Sequence, residues 1–180
     1  MTEVNRETAE TKVRVELSAS QGAAEIATGV PFLDHMLVTL SRYSGINMTV
    51  NASGDLRHHV IEDVAITLGM ALLEFIPATA VRYGSRTIPM DDAVVQAVLD
   101  TGGRAYYRGP IPSSLYNHFL RSLAENARMT LHIRVLRGRD RHHIVEAAFK
   151  ALGLALRDAV RDSGSGAVFS TKGPVASEAK

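Results

Sequence analysis

The chain changes hydrophobic period as it runs. Lys12 to Leu17 (KVRVEL) is apolar at every second position, the pattern of a strand with one buried face. SASQGAAE reads as a turn, and Ala24 to Thr28 is expected to pair back as a hairpin. After Pro31 the period lengthens: Phe32, Leu33, Met36, Leu37 and Leu40 recur at helical spacing until Gly45 stops the helix. INMTVNASGD alternates again, and His59 to Phe75 predicts a helix of about four turns. Past a loop containing Pro77, Arg82 and Gly84 the pattern restarts. Asp91 to Asp100 and Ala105 to Arg108 read as strands. SSLYNHFLRSLAENA is an amphipathic helix with Leu115, Phe119, Leu120 and Leu123 on one side. MTLHIRVLRG is a strand, and HHIVEAAFKALGLALRDAV is a helix.

The second series repeats the first. RHHVIEDVAITLGMALLEF, from Arg57, and RHHIVEAAFKALGLALRDA, from Arg141, align at a shift of 84. His58, His59 and Glu62 then fall on His142, His143 and Glu146, and Leu68, Gly69, Ala71 and Leu72 on Leu152, Gly153, Ala155 and Leu156. At a shift of 83, HMLVTL (from His35) falls on HFLRSL (from His118). Repetition in the same order and at nearly the same spacing implies a duplication. The expected fold is α+β: two halves, 1–84 and 85–173, related by a pseudo-twofold, each ordered strand, strand, helix, strand, helix. A loose tail is expected over 174–180.

Composition narrows the chemistry. With 180 residues, 46% of them hydrophobic, the chain can bury a large core. Twenty basic and 19 acidic residues leave a net charge of +1, which gives no reason to expect nucleic acid or an acidic membrane as partner. There is no cysteine, so any metal is held by His, Asp, Glu, backbone or water. No apolar run reaches the roughly 18 residues of a membrane span, and the polar start MTEVNRETAETK is not a signal peptide. A soluble cytoplasmic protein is expected.

The repeated histidines are the candidate chemistry. Six of the seven histidines occupy duplicated positions; His132 has no histidine counterpart and is read as structural. Residues four apart share a helix face, so His58 with Glu62, and His142 with Glu146, aim at common points. Neighbouring residues diverge by about 100°, so each HH pair suits two metals better than one. His35, His58, His59, Glu62, His118, His142, His143 and Glu146 divide evenly into two sites of three imidazoles and one carboxylate. Such sites suit Mn²⁺, Fe²⁺ or Zn²⁺ and leave coordination positions open for substrate. The ligands are expected to meet either between the two halves or between neighbouring subunits.

With GVPFLDHML, HHVIED, TLHIRVLRG, RHHIVEAAFKALGLALRDA and FSTKG, the chain resembles the imidazoleglycerol-phosphate dehydratase family from about Arg6 to Gly173. The resemblance implies a single catalytic domain made of duplicated βαβ-type halves, similar to the second domain of ribosomal protein S5. It implies manganese-dependent dehydration of imidazole-glycerol phosphate to imidazole-acetol phosphate in histidine biosynthesis. It also implies two Mn²⁺ per site on the eight ligands above, and a hollow homo-oligomer of twenty-four chains with sites between subunits. Glu10 looks like the acid/base group. Arg82, Arg104, Lys150, Ser170 and Lys172 are similar to the family's phosphate-binding set. The chain departs from the family pattern at DLRHH, at Thr39, at Tyr43 and Ser44, in GGRA, and in the shortened segment before His118.

Two other readings use the same ligands. A dinuclear metal phosphoesterase shares the ions and the cationic pocket, but the sequence offers few metal-bridging aspartates. A non-enzymatic metal-binding shell protein leaves Glu10, Arg82, Arg104 and Lys172 without a role. A sugar kinase of S5-like fold would need a glycine-rich phosphate loop, which is absent from the sequence.

Overall fold

The computed structural model describes residues 1–20, 22–164 and 166. The first half contains β1 (Thr2–Glu7), β2 (Thr11–Ser18), β3 (Glu25–Ala27), α1 (Pro31–Ser44), β4 (Asn47–Gly54) and α2 (Arg57–Phe75). The second contains β5 (Tyr83–Met90), β6 (Ala93–Asp100), β7 (Tyr106–Arg108), α3 (Ser114–Asn126), β8 (Thr130–Arg137) and α4 (Arg141–Ala159). The sheets have equivalent orders, β1-β2-β4-β3 and β5-β6-β8-β7, giving an α+β fold built twice.

Three sequence expectations need correction. The first half begins with β1, which lies antiparallel to β2 in register from Thr2↔Leu17 to Glu7↔Lys12. The second begins with β5, where a loop was expected. Both are edge strands with a single buried residue each, Val4 and Gly84, so neither carries the alternation that reveals a half-buried strand. The third correction concerns β3, which pairs parallel to β4 (Ile26↔Val50) rather than folding back on β2. Parallel neighbours need a crossover, and α1 supplies it, as α3 does between β7 and β8.

Alternation shapes the sheets. Thr11, Val13, Val15 and Leu17 of β2 point inward, as do Ala93, Val95, Ala97 and Leu99 of β6. Each inner face lies on helices of its own half, and the helices then pair across the halves, α1 with α4 and α2 with α3. One continuous core results, with Phe119, Phe149, Leu33, Met36, Leu68 and Leu152 fully buried.

The helix pairs approach closely because of two equivalent glycines. A Cβ on Gly153 of α4 would stand 2.7 Å from Tyr43 Cβ and 3.2 Å from the Leu40 carbonyl oxygen of α1. A Cβ on Gly69 of α2 would stand 2.8 Å from both Asn126 Cβ and the Leu123 carbonyl oxygen of α3. Glycine gives up helix propensity here so that two backbones can touch. Since His35 meets Glu146 while Tyr43 meets Gly153, α1 and α4 run side by side in the same direction. Their first turns therefore coincide.

Candidate metal centre

Local sequence fixes where these helices start. Pro31 takes the first position of α1, where its missing N–H is no loss, and Asp34 accepts bonds from the Thr28 amide (3.0 Å) and hydroxyl (2.6 Å). Asp140 caps α4 by accepting from the amides of His142 (2.7 Å) and His143 (3.4 Å). His35 then sits in the second turn of α1, facing His142 and Glu146 of α4.

His35 Nε2 lies 3.5 Å from Glu146 Oε2, and His142 Nε2 lies 3.2 Å from the same oxygen. Among the described residues these three form the group whose ligand atoms all fall within 4.8 Å of one another. The Phe32 ring packs on His142 at 5.1 Å between centroids. Glu146 has only 9% of its side chain exposed, and Lys150, one turn along, places Nζ 2.8 Å from Oε1. Burial pushes the Glu146 carboxyl up, but the hydrogen bond and charge of Lys150, with His35, outweigh it and hold the group below the usual carboxylate range. Two imidazoles and an anionic carboxylate converging on one point are a fitting donor set for a divalent cation.

The other half repeats the arrangement incompletely. His118 Nε2 lies 3.1 Å from Glu62 Oε1, while His58, the counterpart of His142, packs edge-on against His59 at 4.1 Å. Glu62 is half exposed, and Ile66 stands where Lys150 would be expected by the repeat. The two centres are thus alike in ligands and unlike in surroundings.

The remaining two imidazoles diverge from the clusters, as the helical period requires. His59 Nδ1 lies 2.8 Å from Asp55 Oδ1 and 3.6 Å from Glu10 Oε2. His143 lies 2.8 Å from Asp92 through Nδ1 and 3.3 Å from Asp91 through Nε2. Hydrogen bonds to Asp55 and Asp92 raise these two imidazole pKa values above the ordinary one. Asp92 is lowered to about 2 by His143 and by the Arg139 amide. Sequence reasoning missed these acids. Asp55 was detectable, standing four residues before His59; Asp91 and Asp92 sit in the β5–β6 turn, distant in sequence from their histidine.

The cationic residues are more dispersed. Arg82, with φ of +74°, donates from Nε and Nη2 to Asp100 at 3.1 and 3.0 Å. Arg104 is exposed nearby, its carbonyl accepting from the Thr130 hydroxyl at 3.1 Å. Lys150 is partly buried beside Glu146, Met90 and Tyr43. Ser170 and Lys172 lie outside the described residues. His132 packs on Tyr106 at 5.5 Å, away from the imidazole clusters.

A duplicated α+β frame whose paired helix ends gather imidazoles with carboxylates defines a class: a domain carrying the donor set for divalent metal. Comparison with known proteins supplies the family. The imidazoleglycerol-phosphate dehydratase family description matches residues 28–156. A protein of that name from Desulforudis audaxviator (strain MP104C) is 44% identical, with 96% of each chain covered. One from Anaeromyxobacter sp. (strain K) is 44% identical, covering 94% of this chain and 89% of the relative. The Pyrococcus furiosus enzyme solved in complex with (S)-C348 superposes with a TM-score of 0.88 at 42% identity, covering 96% of this chain and all of that one. A Staphylococcus aureus imidazoleglycerol-phosphate dehydratase structure gives 0.81 at 35% identity over 90% of this chain and 99% of that one. The chain belongs to the imidazoleglycerol-phosphate dehydratase family.

Proposed function

We propose that this chain is a metal-dependent hydro-lyase that removes water from imidazole-glycerol phosphate to give imidazole-acetol phosphate, a step of histidine biosynthesis. One observation carries the reading: His35, His142 and Glu146 converge within 4.8 Å in a chain 44% identical, over 96% of its length, to a named dehydratase. Manganese is the proposed cation, two per active site, with Fe²⁺ and Zn²⁺ suited to the same donors. Each centre takes three imidazoles and one carboxylate. Because His59 and His143 point away from the clusters on their own chain, we assign them to centres shared with neighbouring subunits. That assignment requires self-association, and the family resemblance makes the assembly a large homo-oligomer of twenty-four chains. The two halves work as one catalytic domain, placed in the cytoplasm. Among the described residues no helix is long and apolar enough to cross a membrane.

His35, His142 and Glu146, with their counterparts His118, His58 and Glu62, would hold divalent cations, whose charge would make the substrate's imidazole ring easier to deprotonate. The chain's own groups do the rest. Glu10, at the outer end of the β1–β2 hairpin beside His59, takes and returns the protons of the dehydration. The hydroxyl next to the ring leaves as water, and the resulting enol tautomerises to the ketone. Arg82, Arg104, Lys150, Ser170 and Lys172 hold the phosphate, the arginines through paired N–H groups. An ammonium has three donors, so the contact of Lys150 with Glu146 leaves capacity for a phosphate oxygen.

The test is an assay of chelator-stripped protein with imidazole-glycerol phosphate, before and after adding manganese. Imidazole-acetol phosphate is expected only with manganese, without release of inorganic phosphate. Phosphate release, or no turnover by the manganese-loaded oligomer, overturns the reading.

A further inference from the structure

The duplication lets each buried residue of one half be compared with its counterpart in the other. Arg6, Thr11 and Asp63 in the first half correspond to Ile88, Ala93 and Ala147 in the second. Arg6 pairs with Val13 across β1–β2, and Ile88 with Val95 across β5–β6. Thr11 and Ala93 open equivalent strands; Asp63 and Ala147 each follow the glutamate of an HH..E motif. In the second half this place is apolar, with Ala93 and Ala147 fully buried and Ile88 packed on the core.

In the first half the same place is charged, with Asp63 and Thr11 buried and 30% of the Arg6 side chain exposed. Asp63 is 8% exposed and Thr11 3%. Arg6 Nη1 stands 2.6 Å from Asp63 Oδ2 as a charge contact whose N–H is not aligned on the oxygen; the Thr11 hydroxyl donates to that oxygen. A buried ion pair loses about as much in desolvation as it gains, and apolar replacements are often equally stable. The second half shows that apolar side chains fill this position, so fold stability does not account for the charges.

What differs beside them is the turn. At the position of Glu10 the second half has Asp92, which is bonded to His143 at 2.8 Å and to the Arg139 amide at 2.7 Å, whereas Glu10 lies 3.6 Å from His59. The Glu10 amide donates to the Thr8 hydroxyl (3.2 Å), and the Glu10 carbonyl accepts from the Asp55 amide (3.1 Å). Thr11, the next residue, is the one tied to Asp63 of α2. We propose that Asp63, held by Arg6 and Thr11, is a positioning residue that clamps the β1–β2 turn to α2 and sets the Glu10 carboxylate beside His59. Asp63 acts through Glu10 and does not touch substrate. The inference rests on the reading of Glu10 as the acid/base group.

The test transplants the apolar trio as Arg6→Ile/Thr11→Ala/Asp63→Ala in the full-length, manganese-loaded oligomer. Thermal midpoint, native mass and manganese affinity are expected to stay near wild type, with KM unchanged and kcat down about 10- to 100-fold, the range a misplaced group costs. Adding Glu10→Gln to the trio is expected to lower kcat no further than Glu10→Gln does alone. Thr11→Val, which deletes one hydroxyl at constant volume, is expected to lower kcat less but in the same direction, and it reads the clamp even if the triple variant does not fold. Wild-type kcat in the triple or Thr11→Val variant overturns the clamp, as do losses that multiply with Glu10→Gln or that track manganese affinity. If Glu10→Gln itself keeps full turnover, the role of Glu10 fails instead.

Discussion

Replacing Gly153 by alanine tests how the fold sets the metal centre. In an exposed helix interior this change gains about 0.5–1 kcal/mol of helix propensity. Here the new Cβ meets Tyr43 Cβ at 2.7 Å, Ser44 N at 3.1 Å and the Leu40 carbonyl oxygen at 3.2 Å. Restoring ordinary contact of about 3.4 Å or more moves α1 away from α4 by roughly 0.7 Å, and backbone atoms of α1 cannot rotate aside as a side-chain tip can. Overpacking onto a backbone that cannot move aside lies toward the upper end of about 1–3 kcal/mol, so after the propensity gain the net effect is a loss of up to about 2.5 kcal/mol. Because α1 carries His35 and α4 carries His142 and Glu146, the same displacement widens the ligand cluster. Urea denaturation of the metal-free protein and calorimetric titration with manganese read the two effects. The expected outcome is lower stability together with weaker binding at one class of site. A variant as stable as wild type with unchanged manganese affinity refutes the account of this helix contact.

Glu10→Gln is expected to lower kcat by about 10²- to 10⁴-fold while manganese and substrate binding persist, measured by steady-state kinetics and calorimetry; full turnover contradicts its role. Asp92→Asn is expected to lower the titration midpoint of His143 in the metal-free protein, followed by NMR, because the Asp92 hydrogen bond raises it. The His143–Asp92 pair stabilises the fold most between the ordinary carboxylate and imidazole pKa values; its contribution falls as pH drops toward the Asp92 value of about 2 and as pH rises through the raised His143 value. An unmoved midpoint contradicts the pairing. Phe149→Ala, which empties a fully buried site against Phe119, is expected to cost about 3–5 kcal/mol in urea denaturation, and a cost below about 1 kcal/mol contradicts its place in the core.

Much of this arrangement is legible in the sequence because duplication writes it twice. The HH..E repeats predict two equivalent helices, and α2 and α4 are each 19 residues long. The spacing of His142 and Glu146 predicts their meeting on one face. The sequence does not reveal β1 and β5, since an edge strand that buries one residue leaves no alternation. Nor does it reveal that β3 runs parallel to β4, because five apolar-polar positions say nothing of direction. The acids facing His143 come from a turn about 50 residues away, and only the tertiary fold unites them. The family resemblance casts Lys150 as a phosphate ligand; its pairing with Glu146 becomes visible when the helix face is known to be buried.

Anomalous diffraction from manganese-loaded crystals tests most directly whether the mirrored imidazole-and-carboxylate clusters hold divalent cations. Two peaks per chain are predicted, one among His35, His142 and Glu146 and one among His58, Glu62 and His118. Well-ordered crystals with these side chains in place and no manganese signal beside them would contradict the account.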